Sequence, residues 1–205
     1  MPLLPALSLA LVLSTAVAQQ DLFLEIRPIK TELLIGETVV LVGTARSGTT
    51  AEFDPRHGLH ILVDGGSGFV ETGKKWALAR DIEPATITGV PALFEEVVAF
   101  DVRGGQVGSS GDWVFARPGD YRIAVEHSWR EAPRVRSNTV SVTVRAPQGD
   151  EAAVWAEVER QPEVRDYLSY QETPGPMPAA LAALVARYPR SVYLQRARFQ
   201  EFVRW

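Results

Sequence analysis

From Asp21 to about Ala146 the hydrophobic positions recur mostly at every second residue, in short runs separated by turn residues. Leu22, Leu24 and Ile26 alternate, and Pro28 stops the run. Gly36-Glu37 leads into the apolar run Thr38–Val42. Leu59, Ile61 and Val63 alternate before Asp64-Gly65-Gly66. Phe94, Val98, Phe100 and Val102 fall in another such run, ended by Gly104-Gly105. Tyr121, Ile123 and Val125, then Val140, Val142 and Val144, complete the set, with 131–135 as the loop of a final hairpin. Six or seven short strands with turns between them, and no stretch suited to helical crossovers, predict an antiparallel β-sandwich.

After Pro147-Gln148-Gly149 the period changes to that of a helix. Asp150 is the expected cap of a helix to about Arg160, with Val154, Trp155 and Val158 on one face. A second helix is expected over 163–171. The prolines at 174, 176 and 178 then break the chain. Ala179–Tyr188 carries Leu181, Leu184, Val185 and Tyr188 at helical spacing. Ser191 is the expected cap of a last helix from Val192 to about Arg204. That helix has one stripe of Val192, Phe199, Phe202 and Val203 and a second of Tyr193, Leu194 and Ala197, so it packs on two sides. Residues 147–172 hold seven acids and two arginines, whereas 173–205 hold five arginines and one acid. Antiparallel pairing of these halves would join opposite charges, at little energy per exposed pair.

The first eighteen residues, MPLLPALSLALVLSTAVA, carry no charged side chain and end in Ala16-Val17-Ala18. An apolar core followed by a small-x-small site is the layout of a secretory signal peptide, and the run is too short for a span of about 20 residues. The expected organisation is therefore 1–18 signal peptide, 19–146 sandwich and 147–205 helical tail, exported to the periplasm or beyond.

Two motifs sharpen the fold. Pro118-Gly119-Asp120-Tyr121 places a tight turn before a strand that opens with Tyr, whose hydroxyl can return to the backbone as in the tyrosine corner. Two residues on, where antibody domains carry a cysteine, stands Ile123. With Gly36-Glu37-Thr38-Val39, Trp113-Val114-Phe115 and Ser137-Asn138-Thr139-Val140, these residues make the region similar to the immunoglobulin-like domains of secreted bacterial proteins, some of which precede the catalytic domain of metalloproteases. The resemblance implies fold. It carries no protease activity, because His-Glu-x-x-His is absent. In the tail, Tyr188–Tyr193 resembles the junction between helices of tetratricopeptide-like secreted proteins. Only about one unit is present, and a solenoid needs about three.

Composition narrows the chemistry. The 205 residues include no cysteine, which removes disulfides, thiol nucleophiles and Cys-ligated metals. A net charge of −4 provides no basic footprint for nucleic acid. Of the three histidines, His57 and His60 lie near Asp54 and Asp64, but nothing in their spacing makes them converge on a metal. The glycine-rich 104–111 lacks the lysine and helix of a phosphate cradle. Glu95 and Glu96 alternate to opposite faces. No cofactor and no catalytic residue is therefore expected. The expectation is a non-enzymatic exported protein that binds a protein partner at the cell envelope, with an accessory or inhibitory module for a secreted hydrolase as the alternative. Its partner-binding residues would be Trp129, Arg130, Arg134 and Arg136 at the hairpin end, and Phe199, Phe202 and Trp205 in the last helix, because Trp and Arg are enriched in binding hot spots.

Overall fold

The computed structural model describes residues 21–53, 58–72, 85–87, 89–98, 100–101, 112–128, 134–169, 175–195 and 197–198. The expected signal peptide, His57, the glycine-rich 104–111, Trp129, Arg130, Phe199, Phe202 and Trp205 lie outside them.

The fold is mainly β. The strands are β1 (Leu22–Pro28), β2 (Glu32–Leu34), β3 (Val39–Ser47), β4 (Ala51–Phe53), β5 (Leu59–Asp64), β6 (Val70–Thr72), β7 (Ala85–Ile87), β8 (Ala92–Val98), β9 (Phe100–Asp101), β10 (Asp112–Trp113), β11 (Gly119–His127), β12 (Val135–Arg136) and β13 (Val140–Arg145). One sheet has the order β1-β3-β8. The other runs β2-β13-β11-β5-β6, with β12 paired to the far end of β11. Two small ladders, β4-β7 and β9-β10, stand apart.

The alternation expected from the sequence is realised as burial. Leu22, Leu24 and Ile26 of β1, Leu41 and Ala45 of β3, and Phe94 of β8 turn inward to meet Leu59, Ile61, Ile123, Val125, Val142 and Val144 of the larger sheet in one core. Ile123 is fully buried, and covering such an aliphatic side chain stabilises by roughly 1.5–3 kcal/mol.

The expectation of a wholly antiparallel arrangement is corrected. Strand β2 runs parallel to β13, pairing Thr143 with Glu32 and Arg145 with Leu34, so that sheet is mixed. Pro28 ends β1, and the chain then crosses from one sheet to the other. The crossing is tied by Ile29 N–H to Val40 O (2.9 Å) on one side and by Thr143 N–H to Thr31 O (2.8 Å) on the other.

The final hairpin forms as expected but is interrupted at Ser137–Thr139, and the interruption joins the sheets. Asn138 Oδ1 accepts from Ile26 N–H at 2.7 Å and its Nδ2 donates to Ile26 O at 3.0 Å. One side-chain amide thus occupies both free backbone groups of an edge-strand residue. Ser137 fastens the same turn, its Oγ accepting from Val125 N–H at 3.0 Å. Tyr121 makes the expected corner: its hydroxyl donates to Arg117 O at 3.0 Å, and its ring meets Phe115 edge-on at 5.2 Å.

The tail comprises α1 (Gly149–Arg160), α2 (Pro162–Ser169), α3 (Ala179–Arg187) and a 3-10 turn at Val192–Leu194. Both expected caps are corrected. Helix α1 begins at Gly149, so Asp150 lies in its first turn, where a carboxylate favours the positive helix end without capping it. Ser191 makes no side-chain cap. Instead Glu151 of α1 serves the start of the last segment, accepting from Ser191 Oγ–H at 2.7 Å and from Val192 N–H at 3.0 Å.

The tail docks on the β region around residues 34–36. Val154, Trp155, Val158, Leu181, Leu184, Tyr193 and Leu194 form a second core against Leu34, Ile35 and Trp113. Trp155 meets Trp113 edge-on at 5.1 Å and lies tilted against Tyr193 at 5.3 Å. Tyr193 Oη donates to Ile35 O at 2.7 Å. Burial pushes that phenol well above its ordinary value, so it remains a donor. Gly36 makes the close approach possible. Its φ is +72°, and a Cβ there would lie 2.1 Å from the Trp155 ring.

Two variants test these joints. Asn138→Ala removes two inter-sheet hydrogen bonds and should lower stability by about 1–3 kcal/mol, read from urea unfolding at an unchanged slope. Gly36→Ala combines a left-handed backbone with a clash, and strain of the backbone alone costs about 1–3 kcal/mol. Its tryptophan emission should shift to the red as Trp155 loses cover.

Candidate functional site

The outer face of the larger sheet gathers polar side chains from β5, β6, β11 and β12. On β11, Ile123 and Val125 point to the core and His127 meets Phe53 there, so Arg122 and Glu126 point to the outer face. The pairing places Glu126 beside His60 of β5 and beside Arg136 of β12. Of the hairpin-end residues expected to bind a partner, Arg134 and Arg136 lie here. Both face one carboxylate, with Arg134 Nη1 3.6 Å from Glu126 Oε2 and Arg136 Nη1 3.8 Å from Glu126 Oε1.

Phe69, which was not singled out from the sequence, completes this cluster. The Arg136 guanidinium lies 4.2 Å and that of Arg122 5.3 Å from its ring centre. Arg122 is anchored by Asp64, a carboxylate only 2% exposed, to which its Nε donates at 3.1 Å. Asp64 also accepts from Gly66 N–H (2.7 Å) and Gly68 N–H (2.9 Å), which shapes the β5–β6 turn. The Arg122 hydrogen bond, then the Gly66 one, hold its pKa below the ordinary aspartate range.

A second group lies on the same face, centred on His60, the register partner of Glu126. His60 Nδ1 is 2.7 Å from Glu71 Oε1, and His60 Nε2 is 2.8 Å from Ser128 Oγ. An ionised carboxylate only accepts, so Nδ1 carries the proton, and in the neutral ring Nε2 accepts from the Ser128 hydroxyl. Sequence reasoning considered His60 as a metal ligand and missed both partners. Glu71 is eleven residues away and Ser128 sixty-eight. The one available signal was the Asp64-Gly65-Gly66 turn, which folds β6 back beside β5. Among the described residues, no three His, Asp or Glu side chains are grouped to hold a metal ion, and no helix is long and apolar enough to cross a membrane.

The opposite outer face, on the three-stranded sheet, exposes Phe23 and Leu93 (78% exposed) on β1 and β8. They flank Arg46 and Thr44 of β3 in register.

No family model matches the sequence, and no curated protein matches it. Among solved structures, the chain is similar to a β-glucosidase from Erythrobacter marinus (6% identity, TM-score 0.37), covering 62% of this chain and 16% of that one. It is also similar to the CARDB domain of a Pyrococcus furiosus protein (12%, TM-score 0.35; 63% and 96% covered) and to the sporulation control protein Spo0M of Bacillus subtilis (10%, TM-score 0.38; 68% and 55% covered). The chain thus spans about one sixth of the length of the glucosidase it matches.

The Asp64 contacts carry a pH dependence. Because its folded pKa is lowered, the stability it contributes is complete above the ordinary value of 3.8. It is lost as pH falls from there through the lower folded value. Asp64→Asn should be less stable than the wild type at neutral pH, and the gap should narrow in acid melts below that value.

Proposed function

We propose that the chain is an exported, envelope-associated protein-binding module, an immunoglobulin-like sandwich with a helical tail, whose role is recognition without turnover. The leader pattern of residues 1–18 supports export. Two sheets facing across one core and the Tyr121–Arg117 corner support the immunoglobulin-like class.

The observation that carries the binding reading is the stack of Arg122 and Arg136 on Phe69, with Arg134 beside it, on one sheet face. Guanidinium groups held over an aromatic ring are pre-ordered, so a partner that pairs with them offsets less side-chain entropy. Arginine and aromatic side chains are also the types that dominate protein interfaces. The described part of the tail spends Tyr193, Leu194 and Ala197 on its own core.

In cross-linking and affinity capture from an envelope extract, Arg134→Ala/Arg136→Ala should lose the captured partner at unchanged melting temperature. Retention of the same partner by that variant would remove the sheet face from the reading.

A further inference from the structure

The Ser128–His60–Glu71 relay has a property that recognition does not use. We propose that Ser128 is an activated nucleophile that accepts an acyl group from a carboxylic ester. The proposal is independent of the partner-binding reading.

The order of atoms supports it. A serine hydroxyl is a weak nucleophile unless a base stands within hydrogen-bond reach, and the base works only if a third group fixes its tautomer. Here the hydroxyl is on Nε2 and the carboxylate on Nδ1, at 2.8 and 2.7 Å. Reversed, the same three side chains would orient no base toward the serine. All three sit on paired strands or at a strand end. Glu71 is paired through β6 to β5, and Ser128 follows β11, its N–H held by Gly58 O at 2.7 Å. The backbone under the relay is thus fixed by the sheet. His60 is about a quarter exposed and Glu71 about half, so the group opens to solvent and to an incoming ester.

The step balances within the residues named. Ser128 Oγ forms a bond to the ester carbonyl carbon while its proton passes to His60 Nε2. The carbonyl–alkoxy bond then breaks, and the alkoxide leaves with that proton. The Ser128 N–H is already donated to Gly58 O, so it does not serve the oxyanion. Glu71 is a positioning residue, since it acts through His60.

The full-length protein would be incubated with p-nitrophenyl acetate, and separately with a fluorophosphonate, then read by intact mass and peptide mapping. The expected result is one adduct per chain, on Ser128 in the wild type itself. Labelling should be absent in Ser128→Ala and at least ~100-fold slower in His60→Gln, the scale of a lost general base. Glu71→Gln should slow the rate of labelling at saturating ester without weakening ester binding. An unlabelled wild type, an adduct mapped to another residue, or equal labelling of His60→Gln would each overturn the proposal, and the trio would then be a polar tie between strands.

Discussion

The segment from Ile26 to Gly36 belongs to both sheets and to the tail interface, and the rest of the structure leans on that triple membership. At Ile26 the chain is still in the smaller sheet, with both free backbone groups taken by Asn138. By Glu32 it has joined the larger sheet. At Ile35 and Gly36 it supplies the carbonyl for Tyr193 and the bare backbone for Trp155. Backbone polar groups removed from water must be paired, and along this segment the partners come from three different parts of the chain. A protein without cysteine therefore ties its layers together with backbone hydrogen bonds and one side-chain amide, in addition to packing.

The two outer faces differ in how their charges are managed. On the larger sheet, Asp64 neutralises Arg122, and one Glu126 serves two arginines. The smaller sheet instead exposes isolated large apolar side chains such as Phe23 and Leu93. Ordered charge beside an aromatic ring favours a specific contact, whereas scattered apolar residues are normal on a protein surface.

Much of this fold was legible along the chain. Alternation located β1, β5, β11 and β13 because each has one face in a core, and a period of two records that directly, while β3 was located by its apolar run. The Tyr121 corner was legible because its partner is four residues away. The parallel β2 was not: Glu32–Leu34 is too short for a periodic pattern, and its partner lies more than a hundred residues on. The caps failed for a related reason. Asp150 and Ser191 are good capping types, but Glu151 outcompeted Ser191 from another helix. Of the proposed recognition site, Arg134 and Arg136 were legible by residue type. Phe69 and Arg122 were not, since no local spacing links them.

The sequence by itself determined the strand and helix periods, the change from β to helical pattern near residue 147, the absence of thiol chemistry and the aliphatic Ile123 slot. Each follows from residue types and neighbours within a few positions. Only the tertiary structure decided that the chain changes sheets between β1 and β2, that the tail closes on residues 34–36, and that His60 meets Glu71 and Ser128. Those contacts join groups brought together by strand pairing across long stretches of chain. The free energy that selects them is the pairing of buried polar groups and the covering of apolar surface, and both depend on the whole core.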